Sequence, residues 1–141
     1  MEQTKILYVE DNPGNRLLVR RVLEAAGYVV LEAESGAHAL QLLEQATPAL
    51  ILMDVNLPQV DGYTLTSLLR RRGDLQSVPI VALTAYALRG DRERALAAGC
   101  DGYIQKPIDV DQLPDQIAAF LLQARREADE PWNHLQGGRD S

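Results

Sequence analysis

Glu10 and Asp11 stand side by side in "YVEDNPGN", where an apolar run stops and a helix can start. Adjacent carboxylates repel, so the pair points either to open water or to a cation. A third carboxylate, Asp54, ends the run "ALILMD", while Thr84 and Lys106 follow two further apolar stretches, "PIVAL" and "GYI". Three carboxylates, a hydroxyl and an ammonium have a definite chemistry if the fold collects them. Mg²⁺ takes oxygen ligands in an octahedron, usually one or two carboxylates with waters and phosphate oxygens, and Asp11 and Asp54 can supply the carboxylates. A carboxylate can also attack a phosphoryl group to give an aspartyl phosphate, with a metal and a lysine offsetting charge on the transferring oxygens. Thr84 can donate a hydrogen bond to a phosphoryl oxygen. Plainer uses compete: Glu10 and Asp11 can complement a helix dipole, Thr84 can cap a loop, and Lys106 can be a surface lysine. Asp54 resists such a reading, because a carboxylate ending a wholly apolar strand gains no packing and risks desolvation.

These residues need elements to place them. Lys5 to Val9 reads as a strand, and Asn12 with Pro13 as the cap and first residue of a helix whose buried stripe is expected at Leu17, Leu18, Val22 and Ala25. Tyr28 to Ala33 is a second strand, Ser35 a cap, and Ala37 to Gln45 a helix with Leu40 and Leu43 inward. Ala49 to Asp54 lacks polar alternation, the pattern of a central strand covered on both faces. Asp61 and Gly62 turn the chain into a helix over Tyr63 to Arg71. Pro79 to Leu83 and Gly102 to Ile104 complete the strands, with helices over Arg89 to Ala98 and Val110 to Leu122. Pro114 cannot donate inside a helix, so the last helix is expected to have a shifted or irregular first turn.

Repeated βα units predict a parallel sheet with helices on both faces, since right-handed crossovers return each strand in the same direction. Ligands of such sheets gather at the carboxyl ends of the strands. That is where Glu10, Asp11, Asp54, Thr84 and Lys106 fall.

Composition narrows the partners. With 141 residues, 46% hydrophobic, the chain suits one buried core with a tail. A net charge of −6 opposes phosphate neutralisation, so nucleic acid is not an expected partner. Cys100 is the only cysteine, which excludes an internal disulfide and a cysteine metal cluster and fits a reducing, cytoplasmic setting. It reads as a small packed residue. No apolar run approaches the roughly 18 residues of a membrane span. His38 and His134 lie far apart and read as neither ligand nor base.

In order along the chain, "YVEDNPGN", "LILMDVNLPQVDGY", "VALTAYA" and "YIQKPID" resemble the motifs of the receiver domain of two-component response regulators, over Lys5 to Leu122. The resemblance implies a doubly wound α/β fold of the flavodoxin-like, chemotaxis-receiver kind, with a parallel five-stranded sheet of order 2-1-3-4-5, carried over from the family. It also implies roles. Asp54 is the phosphoacceptor; Asp11, Asp54 and the backbone carbonyl of Asn56 ligate Mg²⁺ or Mn²⁺, and Glu10 does so through water. Lys106 precedes a proline that is cis in the family, Thr84 is the switch hydroxyl, and Tyr103 the switch aromatic. Asn56 and Tyr86, two positions beyond Asp54 and Thr84, modulate the lifetime of the phosphoryl group.

The domain is expected over residues 1–123, with residues 124–141 a flexible polar tail in which Trp132 stands alone. The implied protein is a stand-alone receiver, not an enzyme beyond its own phosphorylation and slow dephosphorylation, most like receivers of cell-cycle single-domain regulators and of hybrid kinases. It takes phosphate from a histidine kinase or a histidine phosphotransfer protein and acts on a protein target through the face of the fourth helix, fifth strand and fifth helix. A phosphorelay carrier and an unphosphorylated adaptor are the alternatives. An aspartyl-phosphate hydrolase is disfavoured, because "VNLP" after Asp54 lacks a second aspartate two residues on. Val60 and Gln105 depart from commoner family residues.

Overall fold

Two wholly buried strands, β3 (Leu50–Asp54) and β4 (Ile80–Thr84), form the middle of the sheet in a computed structural model that describes residues 3–85, 90 and 92–129. β1 (Lys5–Val9), β2 (Val29–Ala33) and β5 (Gly102–Gln105) complete it, all pairs being parallel and the order β2-β1-β3-β4-β5. The helices are α1 (Pro13–Ala25), α2 (Gly36–Leu43), α3 (Gly62–Arg70), α4 (Arg92–Ala98) and α5 (Leu113–Asp129), with a 3-10 turn at Gly73–Leu75.

Strand side chains alternate, so each strand feeds two cores. Ile6, Tyr8, Leu50, Leu52, Val81 and Leu83 pack with Val19 and Leu23 of α1 and with Leu113 and Ile117 of α5. On the other face, Leu7, Val9, Ile51, Met53, Ile80 and Ala82 pack against α2, α3 and α4 through Leu43, Leu65, Leu69 and Ala95.

Side chains start three helices, at Asn12 and Ser35 as the sequence suggests and at Asp61, which the sequence suggests only as part of a turn. Asn12, Ser35 and Asp61 accept hydrogen bonds from the amides of Asn15, His38 and Thr64 at 2.9, 3.1 and 2.9 Å. Such caps satisfy donors that a helix cannot pair internally. Arg70, ending α3, donates to the carbonyls of Leu75, Val78 and Gly99 at 2.9, 2.7 and 2.7 Å and pairs with Asp101. Through this one guanidinium, α3 holds both the entry to β4 and the turn before β5.

The buried faces of α1 and α2 differ from expectation. Val19 and Leu23 are buried and Val22 partly so, whereas Leu17 and Leu18 are 39% and 47% exposed and Ala25 faces solvent. In α2 the inward residues are Ala39 and Leu43, and Leu40 lies at 36% exposure. Apolar content fixed the helix type, but the rotation follows from the cap and from the groove it meets.

α5 starts later and runs further than expected. Its approach is a turn in which the amides of Gln112 and Leu113 both donate to the Asp109 carbonyl, at 3.1 and 3.0 Å. Pro114 thus sits in the first turn of α5, where its missing donor costs no hydrogen bond. The helix continues past Leu122 to Asp129, because "QARREAD", Gln123 to Asp129, contains good helix formers and no breaker. The expected start of the fourth helix at Arg89, Trp132 and the tail from residue 130 lie outside the described residues.

Candidate functional site

Neighbouring strands deliver the acidic residues together. Val9 pairs with Met53, so Glu10 and Asp54 leave adjacent strands at the same level, and Asp11 follows on the loop into α1. One carboxylate oxygen from each of Glu10, Asp11 and Asp54 lies within 4.8 Å of the others. Glu10 and Asp54 are buried, each at 2% exposure, whereas Asp11 is open to solvent.

β4 and β5 bring the hydroxyl and the ammonium to the same edge. Thr84 pairs in register with Gln105, and the next amide, that of Lys106, donates to the Thr84 carbonyl at 2.8 Å. Lys106 Nζ then reaches Asp54 Oδ1 at 2.9 Å. The Asn56 amide donates to the same oxygen, also at 2.9 Å. Thr84 is wholly buried at the end of β4, and the Lys106–Pro107 peptide is cis. Gly62 lets α3 approach this strand end: a Cβ there would lie 2.5 Å from the Asp54 carbonyl oxygen and 2.7 Å from Val55 Cα.

Glu10 has partners that sequence reasoning missed. Its Oε1 accepts from the Tyr8 hydroxyl at 3.1 Å and from Asn15 Nδ2 at 3.4 Å, and its Oε2 from the Asn12 amide at 3.3 Å. Arg16 donates to the backbone carbonyls of both Glu10 and Asp11, at 2.8 and 3.0 Å, and faces Glu32 at 3.6 Å. The signals were present in spacing: Tyr8 lies one strand period before Glu10, and Asn15 and Arg16 lie on the first turn of the helix that follows the acidic pair.

Burial, followed by the hydrogen bond and charge of Asp54, pushes the Glu10 carboxyl up to about 7, while the Asn12 amide and Lys106 act in the opposite sense. Burial and the same Glu10 carboxylate push the Tyr8 phenol above its usual range. Among the described residues, two buried carboxylates face the one ammonium of Lys106, which leaves excess negative charge when both are ionised. The donors are all hard oxygens, and one of the three carboxylates is open to water, so the set fits a small divalent cation such as Mg²⁺.

Tyr103, on β5, is half-buried against the core on the α4 side. Asn56 is exposed, and what is seen of it is its amide on Asp54. Tyr86 is outside the described residues. Cys100 is buried, and burial raises its thiol to about 11, as befits a packing residue. Beside the acidic cluster, a cavity of about 440 Å³ is lined by Glu10, Asn15, Leu18, Lys106, Pro107 and Ile108.

Residues 6–118 match the response regulator receiver domain family. The polar-differentiation response regulator DivK of Brucella ovis is 41% identical over 116 residues, covering 82% of this chain and 94% of the relative. Among solved structures, the receiver domain of the sensor histidine kinase PA1611 from Pseudomonas aeruginosa PAO1, with a magnesium ion coordinated in its active site cleft, is 38% identical with a TM-score of 0.78, over 85% of this chain and 98% of that one. The chemotaxis response regulator CheY4 of Vibrio cholerae is 28% identical with a TM-score of 0.80, over 84% and 99% of the two chains. No helix among the described residues is long and apolar enough to cross a membrane.

Proposed function

The chain belongs to the response regulator receiver domain family, and from that premise we propose that Asp54 accepts a phosphoryl group from a phosphohistidine and that the modified domain signals by binding another protein. One observation carries the reading: Asp54 is buried beside two further carboxylates, with a lysine on its Oδ1 at 2.9 Å. In the transfer, an Asp54 carboxylate oxygen forms the new P–O bond while the P–N bond breaks and the imidazole nitrogen leaves with the electron pair. Glu10, Asp11, Asp54 and the Asn56 carbonyl would hold Mg²⁺ or Mn²⁺, which when bound supplies positive charge to the transferring oxygens. Lys106, 2.9 Å from Asp54 Oδ1, offsets charge on that carboxylate, and the burial of Asp54 limits the water around it.

The switch follows from what changes at Thr84. A hydrogen bond to a charged group contributes roughly 1.5–3 kcal/mol, while reversing a 1:99 equilibrium needs about 5.5 kcal/mol of differential affinity. Lys106 already touches Asp54 before modification, so only a change in its bond counts, and Thr84 supplies most of the difference. That amounts to a shift of about tenfold to a hundredfold, which leaves room for the partner's own binding to complete the transition. Tyr103 then packs inward and alters the face of α4, β5 and α5. A groove of about 440 Å³ on that face, lined by Arg92, Leu96, Tyr103 and Phe120, supports its assignment to a downstream protein. The donor is a histidine kinase or a histidine phosphotransfer protein. The regulatory unit includes the whole of α5, to Asp129, and the protein works in the cytoplasm.

The test is the intact mass after incubation with a small phosphodonor and Mg²⁺. Wild type is expected to gain one acid- and base-labile phosphoryl group, and Asp54→Asn none. No adduct on wild type, under conditions that label other receivers, refutes the reading.

A further inference from the structure

We propose that Tyr8 is a positioning residue of the cation site: its buried hydroxyl fixes Oε1 of Glu10 and leaves Oε2 as the oxygen presented to a cation or to its water. This rests on the cation reading given above. Tyr8 is wholly buried in β1, and a buried phenol requires an acceptor. Side chains two apart on a strand share a face, so Tyr8 lies directly behind Glu10 and reaches Oε1 at 3.1 Å. Asn15 Nδ2 approaches that same oxygen at 3.4 Å from the first turn of α1. Oε2 meets the Asn12 amide at 3.3 Å, at the mouth of the site.

The two donors on Oε1 differ in kind. Asn15 is exposed and its bond is the longer one, whereas Tyr8 is wholly buried and held by the core around it, so the phenol sets the position of the carboxylate. Glutamate has one more side-chain torsion than aspartate, and an unanchored Glu10 would spread over several rotamers. Groups behind a metal ligand commonly change metal affinity by about 10–100-fold when removed, because they orient the ligand and keep it available. Glu10 thus needs an anchor that an aspartate at this position would need less.

Mn²⁺ serves as the probe. The full chain is titrated as wild type, Tyr8→Phe and Asn15→Ala, free Mn²⁺ being read by electron paramagnetic resonance, with Mg²⁺ as competitor and thermal midpoints recorded in chelator. Tyr8→Phe is expected to bind Mn²⁺ about tenfold more weakly, and Asn15→Ala about threefold, both competing with Mg²⁺ at proportionally higher concentrations. A purely structural Tyr8 gives the contrary pattern, a lower midpoint in chelator with unaltered Mn²⁺ affinity. A Tyr8→Phe affinity within about twofold of wild type overturns the proposal, whatever Asn15→Ala does. If Tyr8→Phe does not fold, Tyr8→Met, which also removes the hydroxyl from an apolar site, takes its place, and unchanged Mn²⁺ affinity there overturns the proposal. Absence of Mn²⁺ binding by wild type refutes the cation reading itself, a distinguishable result.

Discussion

Glu10 concentrates the electrostatics of the site, since it is buried, faces Asp54, and titrates near pH 7. A carboxyl whose folded-state value rises from 4.5 to about 7 binds more protons folded than unfolded. Its contribution to stability is therefore complete below about 4.5 and is lost as pH rises through about 7. Metal-free protein is expected to lose thermal stability over that interval, and Glu10→Gln to flatten the loss, as followed by thermal midpoints in chelator. An unchanged slope in Glu10→Gln assigns the titration to another group. Divalent cation reverses the trend, because it competes with the proton for the same oxygens.

Helix α1 shows how an element settles what its residues alone leave open. Leu17, Leu18 and Leu23 are chemically alike, yet Leu23 is fully buried and Leu18 is 47% exposed. Leu23→Ala is expected to cost about 2–5 kcal/mol in denaturant unfolding, and Leu18→Ala about 0.5 kcal/mol or less. Equal losses would contradict the rotation of α1 described above. At the start of α3, the clash of an added methyl at Gly62 is with backbone, which cannot move without moving Asp54. Gly62→Ala should lower stability by about 1–3 kcal/mol and slow phosphoryl uptake as well, measured by denaturant unfolding and intact mass. Retained uptake with lowered stability would limit Gly62 to packing.

Over the whole molecule, a cation that binds only the folded chain stabilises it by mass action, by about 2.7 kcal/mol at one hundred times its dissociation constant. Mg²⁺ is expected to raise the thermal midpoint of wild type, with the rise lost in Asp11→Asn, an exposed residue whose change leaves the core intact. A rise of equal size in Asp11→Asn would place the cation elsewhere. Asp54→Asn is expected to be more stable than wild type in chelator, because it removes one of two facing buried carboxylates.

The sequence by itself determined the alternation of strands and helices, the parallel sheet and the residues at its carboxyl edge, because apolar runs, caps and βα order are local signals. "ALILMD" has the unbroken apolar pattern of a covered strand, and it ends in Asp54. Tertiary structure decided which face of α1 turns inward, how far α5 runs, and that Tyr8 and Arg16 brace the acidic pair. These depend on the meeting of surfaces distant along the chain. A helix of mixed apolar residues has several faces of nearly equal hydrophobicity, and only the groove above β1 and β3 selects Val19 and Leu23. Likewise the Tyr8 hydroxyl, an unremarked apolar-strand residue in the sequence, acquires its acceptor only once the sheet is sealed on both sides and water is excluded.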